Sequence, residues 1–236
     1  MVQKARRHLP KIGGKKLYSM LAGDLEQLNC KPGRDKFFDI LRMHNLLVQK
    51  KKKFVRTTHS LHWLYTHRNN LKGKKLTGPN QAYVSDITYL STRTGFVYLF
   101  LQTDAWSRMI TGWHLSDSLA IDGGIKALEM TLRQCPDPTG VIHHSDRGIQ
   151  YCSYGYVDIL NKNKMIISMT EENHCYENAI AERVNGILKD EFLLDEIFVD
   201  KAMAEQAVKQ AIHSYNYRRP HWALCLSTPA KAHNAA

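Results

Sequence analysis

Two runs of strand-forming residues, joined by a loop of hairpin length, place the strongest limit on what this 236-residue chain can fold into. Ala82 to Leu90 and Phe96 to Thr103 are rich in Tyr, Val, Ile, Phe and Thr, and the loop from Ser91 to Gly95 suits neighbouring antiparallel strands. Apolar helical spacing then alternates with short apolar runs, which is typical of a mixed α/β order. We predict further strands at 109–115, 141–144 and 165–169, and helices at 120–135, 154–161, 178–194 and 201–215.

The first 57 residues predict a small helical module. Leucines recur every fourth residue from Leu17 to Leu25, and Pro32-Gly33 separates this helix from a second one over 34–43. Two short helices around a break resemble a helix-turn-helix, which places its second helix in the major groove of DNA, although any small helical hairpin has the same pattern. The predicted organisation is a helix-turn-helix-like module over 1–57, a linker over 58–80 and an α/β core over 81–236.

Charge is divided unevenly along the chain. Residues 1–75 carry a net charge of +15 and the remaining 161 residues carry −4, within a total of +11. A basic N-terminal part favours a surface that binds nucleic acid. The alternative interpretation is a solvated, lysine-rich surface without such a partner. Phosphate groups are the usual partner of closely spaced cations, and they are the partner that we predict here for the uninterrupted run Lys50, Lys51, Lys52 and Lys53.

Several classes of protein do not fit this sequence. No apolar run approaches the ~20 residues of a membrane helix, so we expect no membrane partner. The five cysteines are scattered without a C-x-x-C pair, and no Cys or His stands at zinc spacing from the paired His143 and His144. We therefore expect a cytoplasmic protein without a disulfide framework or a zinc site.

Three acidic residues lie at positions that suggest a role beyond solubility. Asp86 lies within the first predicted strand, Asp146 follows the strand that ends near His144, and Glu182 lies within a helix. Taken singly, each has an ordinary alternative: a strand-edge acid facing water, a turn aspartate and a solvated helix face. Together they are the hard oxygen ligands that a pair of Mg²⁺ ions prefers, and two such ions can activate and stabilise the oxygens of a phosphodiester. The helix carries Glu182 on one polar face with Asn178, Asn185 and Lys189.

Four ordered segments give this pattern a family resemblance. The 35 residues between Asp146 and Glu182 match the spacing of the DDE integrase and transposase superfamily. The surrounding sequence resembles bacterial insertion-sequence transposases of the third family, in their second-frame product. The segments that carry the resemblance are Tyr83–Tyr89, His144–Tyr151, Cys175–Glu182 and Tyr215–His221 with Thr228-Pro229 beyond them.

The resemblance implies an RNase H-like core with a five-stranded mixed sheet and helices on both faces. It implies that Asp86, Asp146 and Glu182 are catalytic and bind two Mg²⁺ or Mn²⁺ ions. The reaction would be cleavage at element ends in double-stranded DNA, followed by attack of the freed 3′-OH on another phosphodiester. The implied setting is a homodimer or larger assembly on DNA, at the nucleoid in bacterial cytoplasm, with a possible first-frame partner or fusion upstream.

Other residues are candidates for contact with DNA, and two other functions stay open. The candidate DNA contacts are Lys189, Arg218, Arg219, His221 and the run Lys50 to Lys53. One alternative is a metal-dependent nuclease that cuts DNA and never joins it. The other is a regulator that binds element ends without catalysis.

Overall fold

A five-stranded mixed sheet forms the centre of the chain. The computed structural model describes residues 1–28, 30, 32–48, 65–171 and 178–235. The sheet order is β3-β2-β1-β4-β5; β2 is antiparallel to β1 and β3, whereas β4 is parallel to β1 and β5. This arrangement confirms the mixed α/β sheet expected from the sequence. The strands are β1 (Ala82–Thr92), β2 (Gly95–Asp104), β3 (Ile110–Ser116), β4 (Ile142–Ser145) and β5 (Ile166–Met169).

Helices precede the sheet and cover it. The helices are α1 (Val2–Arg6), α2 (Gly14–Gln27), α3 (Arg34–Met43), α4 (Ile121–Leu132), α5 (Tyr154–Lys162), α6 (Ala179–Glu191), α7 (Lys201–Tyr217) and α8 (Pro229–Asn234). Within the described ranges, no helix is both long enough and apolar enough to cross a bilayer.

Alternation along β1 divides its side chains between the two faces of the sheet. Tyr83 belongs to an apolar cluster with residues of α4 and α5, such as Leu128 and Tyr156. Leu90, seven residues later, belongs to a different cluster that includes residues of α6 and α7. Because successive side chains of a strand point to opposite faces, the even-numbered residues of β1 face α6. Asp86 is therefore on the α6 face of the sheet.

The hairpin between β1 and β2 is tighter than the sequence suggested. Both strands extend further than expected, so that Thr92 pairs with Gly95 and only Arg93 and Thr94 remain between them. Gly95 has φ +137°, a conformation that side chains rarely tolerate, and the Thr92 hydroxyl donates to its carbonyl at 3.0 Å. These local features close the turn with two residues instead of five.

The N-terminal helices share an apolar cluster with the sheet. Leu17 and Leu21 of α2 and Phe37 and Leu41 of α3 are buried in the same cluster as residues of α6 and α7. The division of the chain near residues 57 and 80 stays a prediction, because residues 49–64 lie outside the described part. Of the expected linker, residues 65–80 contain no helix or strand, yet the side-chain amide of Asn70 donates to the Ile167 carbonyl of β5 at 2.8 Å.

A buried ion cluster joins the end of α6 to two distant parts of the chain. Arg219 is 1% exposed, and its guanidinium donates to both carboxylate oxygens of Glu191, at 2.8 and 2.7 Å. The Lys16 ammonium of α2 lies 3.6 Å from the same carboxylate, and the Lys11 amide donates to the Glu191 carbonyl at 3.1 Å. Arg219, Lys16 and Arg183 overcome the effect of burial and lower the pKa of Glu191.

We predict that Arg219→Ala destabilises the chain by about 3 kcal/mol, because it leaves a half-buried carboxylate without its bidentate partner. The measurement is the free energy of unfolding in urea. Lys162→Ala serves as the matched control, since Lys162 pairs with Asp158 at 2.9 Å while both side chains are exposed; such a pair contributes about 0–1 kcal/mol. Equal losses in the two variants would contradict a structural role for the cluster.

Candidate active site

Asp86 is a half-buried carboxylate in the middle of β1, held by neutral donors. The Asn185 side-chain amide donates to Oδ2 at 2.7 Å, and the Ile87 backbone amide donates to Oδ1 at 2.9 Å. Asn185 lies on α6, so this bond joins the helix to the strand. A carboxylate placed in a sheet needs such partners because burial without them costs several kcal/mol.

Asp146 directly follows β4, the strand next to the one that carries Asp86. Val84 of β1 pairs with His144 of β4 in parallel register, so that Asp86 and Asp146 each follow this pair by two residues. Parallel strands are about 4.8 Å apart, so the chain that leaves β4 brings Asp146 close enough for its charge to act on Asp86. The Gly148 amide donates to Asp146 Oδ1 at 3.0 Å, and a Cβ at Gly148 would lie 2.9 Å from that oxygen. A side chain at position 148 would therefore press on the carboxylate.

Glu182 belongs to the first turn of α6 and is exposed. Two buried asparagines hold the helix against β1 on either side of it. The Asn178 side-chain amide donates to the Ser85 carbonyl at 3.0 Å, four residues before Glu182, and Asn185 reaches Asp86, three residues after it. The polar face that the sequence placed on this helix is thus turned partly toward the sheet.

The three carboxylates repel one another. Burial, and next the charge of Asp146 with a smaller effect of Glu182, raise the pKa of Asp86 to about 7, although the hydrogen bonds from Asn185 and Ile87 oppose the shift. Burial, and next the charge of Asp146, also raise the pKa of Glu182. Asp146 acts on both other acids and Glu182 acts on Asp86, so the fold brings together three residues that are far apart in the sequence.

The chemistry of these residues fits a hard divalent cation, although the ligands are not yet gathered around one point. In the described ranges, no group of three or more His, Cys, Asp or Glu side chains is arranged to hold a metal ion. Beside the acids, the side-chain oxygens of Asn178 and Asn185 are buried without a hydrogen-bond partner among the described residues. Carboxylate and amide oxygens are suitable ligands for Mg²⁺ or Mn²⁺.

A buried polar network lies under the two aspartates on the other face of the sheet. His143 Nε2 lies 2.8 Å from the Ser85 hydroxyl and 2.9 Å from the Tyr156 hydroxyl, and Gln102 bonds to both of these groups. Burial lowers the pKa of His143 to about 3, so the imidazole is neutral at pH 7. The network fixes the backbone at Ser85, directly before Asp86. The sequence analysis did not identify this network. Its signal in the sequence was the presence of polar residues, such as Ser85, Gln102 and His143, within apolar strands.

The candidate DNA contacts have different positions. The Lys189 ammonium lies 4.2 Å from the centre of the Tyr89 ring, on the same helix as Glu182, and Arg218 is exposed. His221 is half-buried, and burial and nearby cations lower its pKa to about 4. Arg219 is buried in its ion pair with Glu191, so it is not accessible to DNA. Its contacts support a structural role instead of the predicted contact with DNA. The run Lys50 to Lys53 lies outside the described residues.

We predict that Asp146→Asn lowers the pKa of Asp86 below about 7, because it removes a neighbouring negative charge and leaves the shape of the side chain unchanged. The measurement is an NMR titration of the Asp86 carboxyl in chelator-treated protein. Without the negative charge of Asp146, the Asp86 carboxyl loses its proton at a lower pH. Asp158→Asn on α5 is the control, and an equal shift there would show that the two aspartates do not sense each other.

Comparison with known proteins identifies the family. The integrase core domain family matches residues 77–175, and a second integrase core domain family matches residues 163–229. A 31 kDa protein of insertion element IS600 from Shigella sonnei is 36% identical over 200 residues, which cover 84% of this chain and 74% of that protein. The InsF transposase of insertion sequence IS3A from Escherichia coli K12 is 35% identical over 190 residues, 79% of this chain and 66% of the relative.

Solved structures agree on the fold. The catalytic core domain of HTLV-2 integrase, in a complex with magnesium, has a TM-score of 0.53 at 18% identity and covers 66% of this chain and 97% of the integrase domain. A chain of the simian T-cell lymphotropic virus intasome has a TM-score of 0.59 at 16% identity, over 95% of this chain and 75% of that one. The sheet and its helices are thus an RNase H-like core, and the chain belongs to the IS3-type insertion-sequence transposases with a DDE integrase core.

Proposed function

We propose that this chain cuts DNA at the ends of an insertion sequence and joins the freed 3′-OH to another phosphodiester. The observation that carries the proposal is the convergence of Asp86, Asp146 and Glu182 at one edge of the sheet, where burial, and next the charges of the other two acids, raise the pKa of Asp86 to about 7. Selection for stability alone favours burying apolar residues or paired charges, and three coupled carboxylates are a feature of functional sites. The family of the chain supports the same reaction.

The roles of the residues follow from their positions. Asp86 on β1 and Asp146 directly after β4 form the fixed part of the site, and Glu182 on α6 completes it. Two Mg²⁺ or Mn²⁺ ions, held by these acids, would supply activation of the attacking oxygen and stabilisation of the leaving one. Asn185 orients Asp86 without neutralising it, and the His143 network prevents the strand from shifting beneath it.

DNA binding and assembly belong to the same proposal. Double-stranded DNA at the nucleoid of a bacterial cytoplasm is the substrate, with Lys189 and Arg218 as contacts on the described surface and Lys50 to Lys53 as further contacts. Joining two ends requires at least a dimer on the DNA. The matched region covers 66% of InsF. The family resemblance adds a first-frame partner or fusion upstream to the proposed active assembly.

We predict that Asp86→Asn, Asp146→Asn and Glu182→Gln each reduce cleavage by about 1,000-fold or more, because each removes an anionic ligand from the site. Affinity for DNA stays within about twofold, since phosphate contacts come from the basic side chains. The measurement is a strand-transfer assay with labelled element-end duplex and Mg²⁺, beside a binding titration of the same variants.

The outcome of this assay separates the three functions. Joined product supports transposition, whereas nicked product alone supports a nuclease. DNA binding with neither product supports a regulator. Asp158→Asn provides the matched control, because it changes an acid on the exposed side of α5 and keeps wild-type turnover. Substantial cleavage by any one of the three site variants would contradict the proposed roles.

We also predict that Mg²⁺ raises the thermal midpoint of the chelator-treated chain by about 2–4 °C, because a cation that binds only the folded state relieves the repulsion among its acids. Differential scanning fluorimetry at constant ionic strength measures the shift. Asp146→Asn loses most of the increase, while Asp158→Asn keeps it. The same increase in both variants would place the cation elsewhere.

A further inference from the structure

A cavity of about 640 Å³ lies beyond the end of β2, apart from the three acids. It opens to solvent and is bordered by the segment that leads into β1, by the turn between β2 and β3, by the first turn of α6 and by the last residues of the described chain. Its apolar wall includes Leu71, Leu76, Ile180 and Leu224, and the half-buried Trp106 lines it as well. A volume of this size accommodates a small ligand or a few nucleotide groups.

All the charged residues that line this cavity are positively charged. Lys74, Arg108 and Lys231 line it, and none of the described lining residues is acidic. These cations come from three separate segments of the chain, so sequence proximity does not explain their convergence. A cavity with apolar walls strengthens the field of charges at its edge, which favours an anion inside it.

Arg108 is the most constrained of the three cations. Its backbone has φ +63°, a conformation that is uncommon outside glycine, and it is fixed by two hydrogen bonds. The Arg108 amide donates to the Asp104 carbonyl at 2.9 Å, and the Tyr215 hydroxyl donates to the Arg108 carbonyl at 3.0 Å. Its Nη1 is buried without a hydrogen-bond partner among the described residues. Such an atom loses free energy unless an acceptor reaches it.

The nearest buried acid does not supply that acceptor. Asp104 is fully buried, and its Oδ1 accepts the Trp106 amide, the Ser107 amide and the Ser107 hydroxyl at 3.1, 2.6 and 2.7 Å. Its Oδ2 accepts the Asn80 amide at 2.7 Å. The carboxylate is thus occupied by other donors and shapes the turn that presents Trp106 and Arg108.

We propose that this cavity binds a phosphate group of a nucleic-acid strand, with Arg108, Lys74 and Lys231 around the phosphate and the Trp106 ring against the adjoining sugar or base. Phosphate fits because it offers several acceptor oxygens to cations of different origin, and an aromatic wall suits the flat groups attached to it. The assignment rests on the proposed function, since it takes the DNA substrate as the source of the phosphate.

The position of the cavity suits a strand that also reaches the acids. Asp104 pairs with Tyr83 in the sheet, three residues before Asp86 along β1. At 3.3 Å per residue this separation is about 10 Å, the rise of about three nucleotides in duplex DNA. A strand with one phosphodiester at the acids can therefore place a phosphate about three nucleotides away beside Ala105, which lines the cavity.

The test is a fluorescence-anisotropy titration of the full chain with a labelled duplex, in chelator, where no cleavage occurs. We expect the double variant Lys74→Ala/Lys231→Ala to bind about 10-fold more weakly and to reduce the slope of log affinity against log salt by about 1–2. The matched control is Lys75→Ala/Lys162→Ala, which removes the same charge from two exposed lysines outside the cavity and stays within about twofold of wild type.

Quenching of tryptophan fluorescence by a deoxynucleoside monophosphate distinguishes the source of the phosphate. Equal affinities for the duplex in the double variant and the control would overturn the inference and leave the proposed function standing. A wild-type chain that binds no duplex would overturn both. Quenching that needs Lys74 and Lys231, without any effect on duplex affinity, would assign the cavity to a free nucleotide and overturn the assignment to a DNA strand.

Discussion

Repulsion among three carboxylates is the interaction around which the rest of this structure is arranged. The acids are held by neutral groups: Asn185 and the Ile87 amide bond to Asp86, and the Gly148 amide bonds to Asp146. A lysine or arginine in place of Asn185 would lower the pKa of Asp86 and cancel its charge. Amide donors orient the Asp86 carboxylate and leave its charge available, which is the condition that a cation-binding site requires.

The sequence identified the acids and missed their supports. An aspartate inside a strand-forming run and another directly after an apolar strand are unusual enough to be noticed one residue at a time. Asn185 was placed on the correct helix face, but its bond to Asp86 joins residues 99 positions apart and depends on how α6 lies on β1. The prediction that Arg219 contacts DNA was wrong for the same reason. Its ion-pair partner, Glu191, is 28 positions away in the sequence.

The elements of the sheet could be predicted because strands and helices leave periodic patterns over several residues. Shorter features depend on single local bonds and were not predicted. The six-residue α8, for example, begins where the Thr228 hydroxyl accepts the Lys231 amide, and the two-residue hairpin turn depends on Gly95. The packing of α2 and α3 into the cluster of α6 and α7 was not predicted either, since the apolar face of a helix does not indicate which element it packs against.

Helix α6 connects the acids to the N-terminal helices. It carries Glu182 in its first turn and ends at Glu191, which binds Arg219 and Lys16. Thirteen residues at 1.5 Å each span about 20 Å, and both ends of this short helix are fixed, one by Asn178 and Asn185 on β1 and the other by the ion cluster. A displacement of α2 therefore acts on the same rigid helix that positions Glu182 and Asp86.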